Sequence, residues 1–278
     1  MRIAYLGPAG TFNEDALREA TGGSGDGEPV QAPTIYDAIL AVERGEVDRA
    51  FVPFENSIEG AVRPTLDTLA LEADSVTIVG EHDYRVRPSL IARDQVGLDQ
   101  ITVLLSHPQA TAQCARFVRE ELTGAEVRDA ASTAEAVRIV SEAGEPWAAL
   151  GSRRAAELYG CVVLREGVED GDENVTRFVW IAPAGTEPEE GVAWKTSLIF
   201  SELGEDRPGA LVEALLVFSE RGVNLTRIES RPRRLELGRY MFFCDLEGAA
   251  SDPTVAEAIE DLRGKAESVR LLGSYPTG

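Results

Sequence analysis

In the first 181 residues a short apolar run, a turn of small or polar residues and a helix start follow one another repeatedly. This repeat constrains the fold more than any other feature. It appears as IAYL then GPAGTF, AFVPF then ENSIEG, VLL then SHPQAT, and AALG then SRRAA. Apolar runs alternating with amphipathic stretches predict an α/β sheet covered by helices. Thr11 is placed to cap a helix beginning near Phe12, Ser106 precedes Pro108 at a first helical turn, and Ser132 with Glu135 predicts a capping box. Strands of a mainly parallel sheet deliver such helix N-termini to one edge, where free N–H groups and helix dipoles favour an anion. Each terminus contributes about 0.3–1 kcal/mol to a nearby anion at an exposed site. For Thr11, Ser57, Ser106 or Ser132 taken singly, an ordinary N-cap is a sufficient reading.

The polar residues beside these starts point further. Asn56, Ser57, Gln109, Gln113, Thr133, Asn174 and Thr176 are neutral hydrogen-bonding groups in a chain that otherwise fills its polar positions with Asp, Glu and Arg. The run ENVTRFVW sets Asn174, Thr176 and Arg177 at the mouth of an apolar strand, although a surface salt bridge would equally explain Arg177. With 278 residues, a net charge of -21 and 44% apolar residues, the composition is globular and sufficient for about two domains. Nucleic acid and anionic membrane surfaces need clustered Lys and Arg, so neither fits as a main partner. Residues 194–278 carry 11 basic and 14 acidic side chains, leaving 16 basic and 34 acidic for residues 1–193. The acidity therefore belongs to the first part.

Met1 to Leu6 already reads as a strand and no long apolar stretch follows, so a cytoplasmic protein without signal peptide or membrane helix is expected. Cys114, Cys161 and Cys244 are widely spaced and odd in number, which fits small core residues better than disulfides or zinc ligands. No metal or organic cofactor is expected, since His82 and His107 lack partners at ligand spacing. Ala182 to Gly191 combines Pro, Gly and Glu without periodicity and reads as a linker. After it come a strand at 194–201, a helix at 209–221, strands at 223–230 and 239–246, a helix at 253–263 and a strand at 268–272. The order βαββαβ predicts a ferredoxin-like small domain.

GPAGTF at 7–12, PFENSIEGAV at 53–62, SHPQATAQC at 106–114, STAEA at 132–136 and NVTRF at 174–178 stand in an order and spacing that resemble prephenate dehydratases. Behind them, RPGALVEALLVFSERGVNLTRIESRP at 207–232 is similar to the regulatory ACT domain of that family. The resemblance implies an α/β fold with a two-lobed, periplasmic-binding-protein-like catalytic region at 1–181, its lobes near 1–80 with 161–181 and 81–160. A linker at 182–193 and a ferredoxin-like ACT domain at 194–278 would follow. It implies conversion of prephenate to phenylpyruvate, carbon dioxide and water in phenylalanine biosynthesis, without cofactor. The chain begins at this region, so a monofunctional enzyme without a preceding chorismate mutase domain is expected.

By the same resemblance Thr176 is the catalytic residue, donating a hydrogen bond to the departing hydroxyl. Thr11, Asn56, Ser57, Ser106, Gln109, Thr133, Asn174, Arg177 and Phe178 would bind substrate, and Glu55 or His107 would supply a proton. Structural roles for Glu55 and His107 remain equally open, and the part played by Arg85, Arg87 and Arg93 is undetermined. Gly209, Ala210, Leu211, Val212, Asn224, Leu225, Glu229, Ser230 and Arg231 would hold phenylalanine as feedback effector between two ACT domains, giving a dimer or tetramer. Arogenate as substrate, and a non-catalytic amino-acid sensor, are the alternatives.

Overall fold

A computed structural model describes all residues except 24–26, 172, 205–206, 236 and 278. Its contacts group the chain into two compact units, one of Met1–Ala38, Glu55–Gly60 and Asp83–Arg177, the other of Ile39–Phe54, Ala61–His82 and Phe178–Gly278. In the first unit the strands Arg2–Leu6 and Glu28–Ala32 pair in parallel, with the helix Phe12–Ala20 between them in the chain. Thr11 does precede that helix, but its hydroxyl donates to Pro8 O at 3.0 Å instead of capping. The Glu14 carboxylate reaches back to the preceding turn and accepts Gly10 N–H at 2.7 Å.

The same unit holds a five-stranded sheet in the order Val162–Arg165, Ser89–Ala92, Trp147–Gly151, Val103–Ser106, Glu126–Asp129. Strand alternation gives this sheet two cores. Ile91, Val103, Leu105 and Ala149 pack on one face with Ala136, Val137 and Val140 of the helix Thr133–Glu142, while Leu90, Leu104, Ala148 and Leu150 pack on the other. The strands Val103–Ser106, Glu126–Asp129 and Trp147–Gly151 run parallel. The helices that follow them, Pro108–Gln113, Thr133–Glu142 and Arg153–Tyr159, therefore all begin at one edge of the sheet. Ser132 caps the second by accepting Glu135 N–H at 3.0 Å. The reciprocal half of the predicted capping box is missing because the Glu135 carboxylate is taken by Arg138 at 2.7 and 2.8 Å.

In the second unit, residues 178–183 of the strand Val175–Pro183 lie between residues 49–54 of the strand Arg49–Asn56 and residues 76–82 of the strand Val76–Arg85. The Phe51 ring stacks on Phe178 at 4.8 Å and meets Trp180 at 4.6 Å, and Gly80 leaves room for the Trp180 ring, which a Cβ there would approach to 3.3 Å. The strand persists through the buried Ala182 to Pro183, later than the sequence suggested, because Ile181 and Ala182 complete the apolar run. Residues 184–193 carry no helix or strand.

The remainder forms the βαββαβ arrangement. Its antiparallel sheet runs Leu225–Pro232, Tyr240–Glu247, Trp194–Ser201, Ser268–Pro276, with Pro232 ending the edge strand. Leu198, Phe200, Cys244 and Leu246 face the helices Ala210–Glu220 and Pro253–Arg263 through Ala214, Phe218, Ala258 and Leu262. The opposite sheet face carries a buried polar row in which Ser197 Oγ donates to Asp245 at 2.6 Å and meets the Tyr275 hydroxyl at 2.7 Å. Cys114 and Cys244 are fully buried, and Cys161 is half-buried.

Candidate functional site

The strand Arg49–Asn56 ends where Val175–Pro183 begins, and polar side chains gather there. Asn56 Nδ2 donates at 2.9 Å to Asn174 Oδ1 and at 2.9 Å to Thr176 Oγ1. Its Oδ1 accepts the backbone N–H groups of Ile58 and Glu59, both at 3.0 Å, so the same amide folds the turn that follows. Asn174 Nδ2 in turn donates to Gln113 Oε1 at 2.8 Å. Ser57 knits the two strands from the outside, its hydroxyl donating to Glu173 O and accepting Val175 N–H. Asn56, Asn174 and Thr176 are all at least nine-tenths buried. Buried amides and hydroxyls need partners, and this network supplies them.

Thr176 Oγ1 is the acceptor in its bond to Asn56, so its own O–H remains to donate. Accepting one hydrogen bond polarises a hydroxyl and strengthens its donation. Strand alternation places Thr176 and Arg177 on opposite faces. Accordingly Asn56 meets Thr176 on one face, while Glu55 and Arg177, each one residue away, face each other at 3.7 Å on the other. Arg177 is only 11% exposed. The structure thus favours the ion-pair reading of Arg177 over a carboxylate clamp beside Thr176.

The other residues singled out in the sequence are distributed more widely. Ser106 is fully buried and donates to Leu150 O at 3.1 Å, locking two strands together. His107 is the N-cap instead, its Nδ1 accepting Gln109 N–H at 3.3 Å, which leaves the proton of the neutral ring on Nε2. Gln109 is exposed and Thr133 half-buried, each in the first turn of its helix. Phe178 is a core residue, stacked on Phe51 and 2% exposed, which removes it from recognition. Val86 N–H bonds Asn174 O at 2.9 Å, so Arg85 and Arg87 flank the network.

Two supporting residues escaped the sequence reading. Gln113 stood out as a neutral polar group but not as the partner of Asn174, because Ala110, Thr111 and Ala112 separate it from the SHPQ turn. Ser152 caps Arg153–Tyr159 through Ala155 N–H at 3.0 Å and donates to Gly10 O at 2.9 Å, pinning the GPAGTF turn. Gly10 has φ 81°, and a Cβ there would stand 3.2 Å from Ala155 Cα, so only glycine suits this turn. Cys114, beside Gln113, is no nucleophile: burial, with Asp170 and Glu169 adding, pushes its thiol up to about 12. Among the described residues no cluster of three or more His, Cys, Asp or Glu is arranged to hold a metal ion.

A second constellation lies on the βαββαβ module. Gly209, with φ 88°, caps the helix Ala210–Glu220, which leaves Val212 60% exposed and Leu211 half-buried. Asn224 is exposed ahead of Leu225–Pro232. Along that strand Ser230 is exposed, while Arg231 on the other face is bound to Asp67 at 2.9 and 2.7 Å.

Fold and site together define an α/β protein with a buried network of neutral hydrogen-bonding groups around one threonine hydroxyl, followed by a ferredoxin-like βαββαβ module. Residues 3–186 match the family model described as prephenate dehydratase, and residues 199–264 match the ACT domain. A prephenate dehydratase of Amycolatopsis methanolica is 42% identical over 275 residues, covering 99% of this chain and 88% of that one. The crystal structure of a prephenate dehydratase from Arthrobacter aurescens in complex with L-Phe is 38% identical, with a TM-score of 0.90 over 99% of this chain and 90% of that one. A structure described as GqqA, a novel type of quorum quenching acylase, is 33% identical, with a TM-score of 0.89 over 100% and 98% of the two chains. The chain belongs to the prephenate dehydratase family.

Proposed function

We propose that the chain turns prephenate into phenylpyruvate, and that Thr176 drives departure of the ring hydroxyl. The observation that carries this reading is the Thr176 hydroxyl, buried, fixed by Asn56 Nδ2 and left with its own proton to donate. As the ring carboxylate leaves as carbon dioxide, its bonding electron pair moves into the ring. The C4–O bond breaks, and the oxygen departs as water with one proton taken up per turnover. Aromatisation supplies the driving force, so the protein has mainly to stabilise developing charge on the leaving oxygen. A fixed donor does this without reorganisation. An unperturbed hydroxyl is a weak acid, so Thr176 donates a hydrogen bond and the proton itself comes from elsewhere. His107 is the candidate acid in its imidazolium form, reached when Nδ1 gives up Gln109 N–H and takes a proton, while Glu55 is engaged with Arg177 on the other strand face.

On this reading Asn56 and Asn174 position Thr176 more than they touch substrate, since their amides are engaged with one another, with Gln113 and with the turn. The substrate carboxylates are met by the helix starts at Pro108, Thr133 and Arg153 and by Arg87, which is 60% exposed. Acyl transfer of the kind named for the acylase structure finds less support. A threonine nucleophile needs a base beside it, and the Oγ1 partner here is the Asn56 N–H donor.

The ACT module is read as a phenylalanine site formed by residues 209–212 and 224–230 of two paired chains, with Arg231 held by Asp67 outside it, so the molecule is a dimer or a dimer of dimers. Exposed Val212, Leu216 and Ile228 at 60%, 45% and 46% support pairing through this module. The L-Phe bound in the Arthrobacter aurescens structure supports the choice of effector. Among the described residues no helix is long and apolar enough to cross a membrane, and we infer a cytoplasmic enzyme. Assaying the purified chain with prephenate and with arogenate tests the proposal. Prephenate is expected to be the better substrate by at least tenfold in kcat/KM, and preference for arogenate or turnover of neither overturns it.

A further inference from the structure

The strand that carries Asn56 is gripped from the ACT module, and the grip is made by arginines of the strand Leu225–Pro232. Residues 227, 229 and 231 share the sheet face away from the module's helices, as their pairing with Asp245, Phe243 and Met241 places them. From that face the Arg227 guanidinium lies over the Phe54 ring at 4.9 Å. Arg231 makes a side-on fork with Asp67 of the helix Arg63–Leu71, Nε to Oδ1 at 2.9 Å and Nη2 to Oδ2 at 2.7 Å. That helix is tied back to the Asn56 strand at its first turn. Thr65 Oγ1 donates to Pro53 O at 2.5 Å and Val62 N–H to Phe54 O at 3.0 Å. Asn56 stands two residues beyond Phe54 in the same strand and holds Thr176.

We propose that Asp67 is the joint through which the effector strand acts on catalysis, the Arg231–Asp67 fork transmitting the state of the ACT module to the strand that positions Asn56 and Thr176. This inference rests on the reading of the module as a phenylalanine site. Coupling between sites needs a contiguous element that both can bias, and here two contacts from one strand converge on one neighbouring strand. The fork is shielded, with Arg231 at 15% and Asp67 at 14% side-chain exposure, so water screens it little. Arg234 also reaches Asp67, at 2.6 Å, but is 63% exposed and contributes less. Arg231 therefore serves as a positioning residue, its guanidinium engaged by Asp67 and not open to an effector. The alternation that turns Arg231 inward turns Ser230 outward.

The test is a phenylalanine titration of prephenate turnover with the full chain and with Asp67→Asn, a substitution that keeps size and removes charge. The expected result is turnover without phenylalanine within threefold of the parent, phenylalanine binding by calorimetry retained, and a response of rate to phenylalanine reduced at least tenfold. Arg231→Gln should lose the response equally, and the double variant no further, because both act through one pair. That single variant also decides the matter should Asp67→Asn not fold. Arg234→Gln should respond like the parent. An undiminished response in Asp67→Asn or Arg231→Gln overturns the joint, whereas a parent chain that neither binds nor responds to phenylalanine overturns the reading of the module itself.

Discussion

Thr176 and Arg177 are neighbours in the chain but stand on opposite strand faces, and that separation assigns them different tasks. On the proposed mechanism, removing the Thr176 hydroxyl takes away the donor to the leaving oxygen, an effect of about 10²–10³ in kcat for comparable donors. Thr176→Ala is therefore expected to lower kcat by about that factor with KM changed less than about threefold, and Thr176→Ser to recover most of the rate. Steady-state kinetics with circular dichroism checks this, and an alanine variant with near-normal kcat removes Thr176 from the mechanism. Asp15 makes a prediction of another kind. Burial, reinforced by Glu14 and Glu157, outweighs Arg154 and hydrogen bonding and pushes its carboxyl up to about 6. A raised acid favours the fold while protonated, so its contribution is present below its ordinary value and is lost as pH rises towards 6. Asp15→Asn should stabilise by about 1–3 kcal/mol at pH 7 and by much less at pH 4, read from thermal melts at both. An equal shift at the two pH values contradicts this. The residues of the site were legible as motifs, but their hydrogen bonds were not. Ser106 has the sequence of a cap and is a buried cross-strand tie, because cap and tie need the same residue type.

At the scale of elements the chain was far more readable. The strand–turn–helix repeat and the βαββαβ order follow from apolar period and turn chemistry, and both are present with ends shifted by a few residues. What escaped were elements without such a signal. Glu126–Asp129 is exposed throughout and pairs only by backbone, and Gly60–Ala61 is too short to show a period. Also hidden was the way the ACT sheet meets its neighbours in the same unit. Lys195 Nζ binds both Glu81 carboxylate oxygens at 2.6 and 2.7 Å, with side-chain exposures of 14% and 7%. Thr77 donates to Leu272 O at 3.1 Å beside Gly273, where a Cβ would collide with Ile78 O. Breaking a shielded pair leaves a charge uncompensated, at a cost of about 3 kcal/mol, whereas replacing both partners by apolar residues costs less. Glu81→Gln should therefore destabilise more than Glu81→Leu with Lys195→Met, as urea denaturation would record, and equal loss in the two argues against the pair.

For the whole molecule the net charge of -21 sets the conditions under which the site works. The excess acid lies in residues 1–193, while the proposed centre is built from neutral donors and helix ends, so on this proposal a dianion is repelled at long range and attracted locally. Salt screens the long-range part first. The account predicts that kcat/KM for prephenate rises with ionic strength from a low starting value, and a falling profile contradicts it. The most direct test of the central claim is the initial rate of phenylpyruvate formation from prephenate as phenylalanine is added to the purified chain. A steady rate without phenylalanine that declines as phenylalanine rises is the predicted result. No phenylpyruvate at any concentration, or a rate indifferent to phenylalanine, would contradict the account.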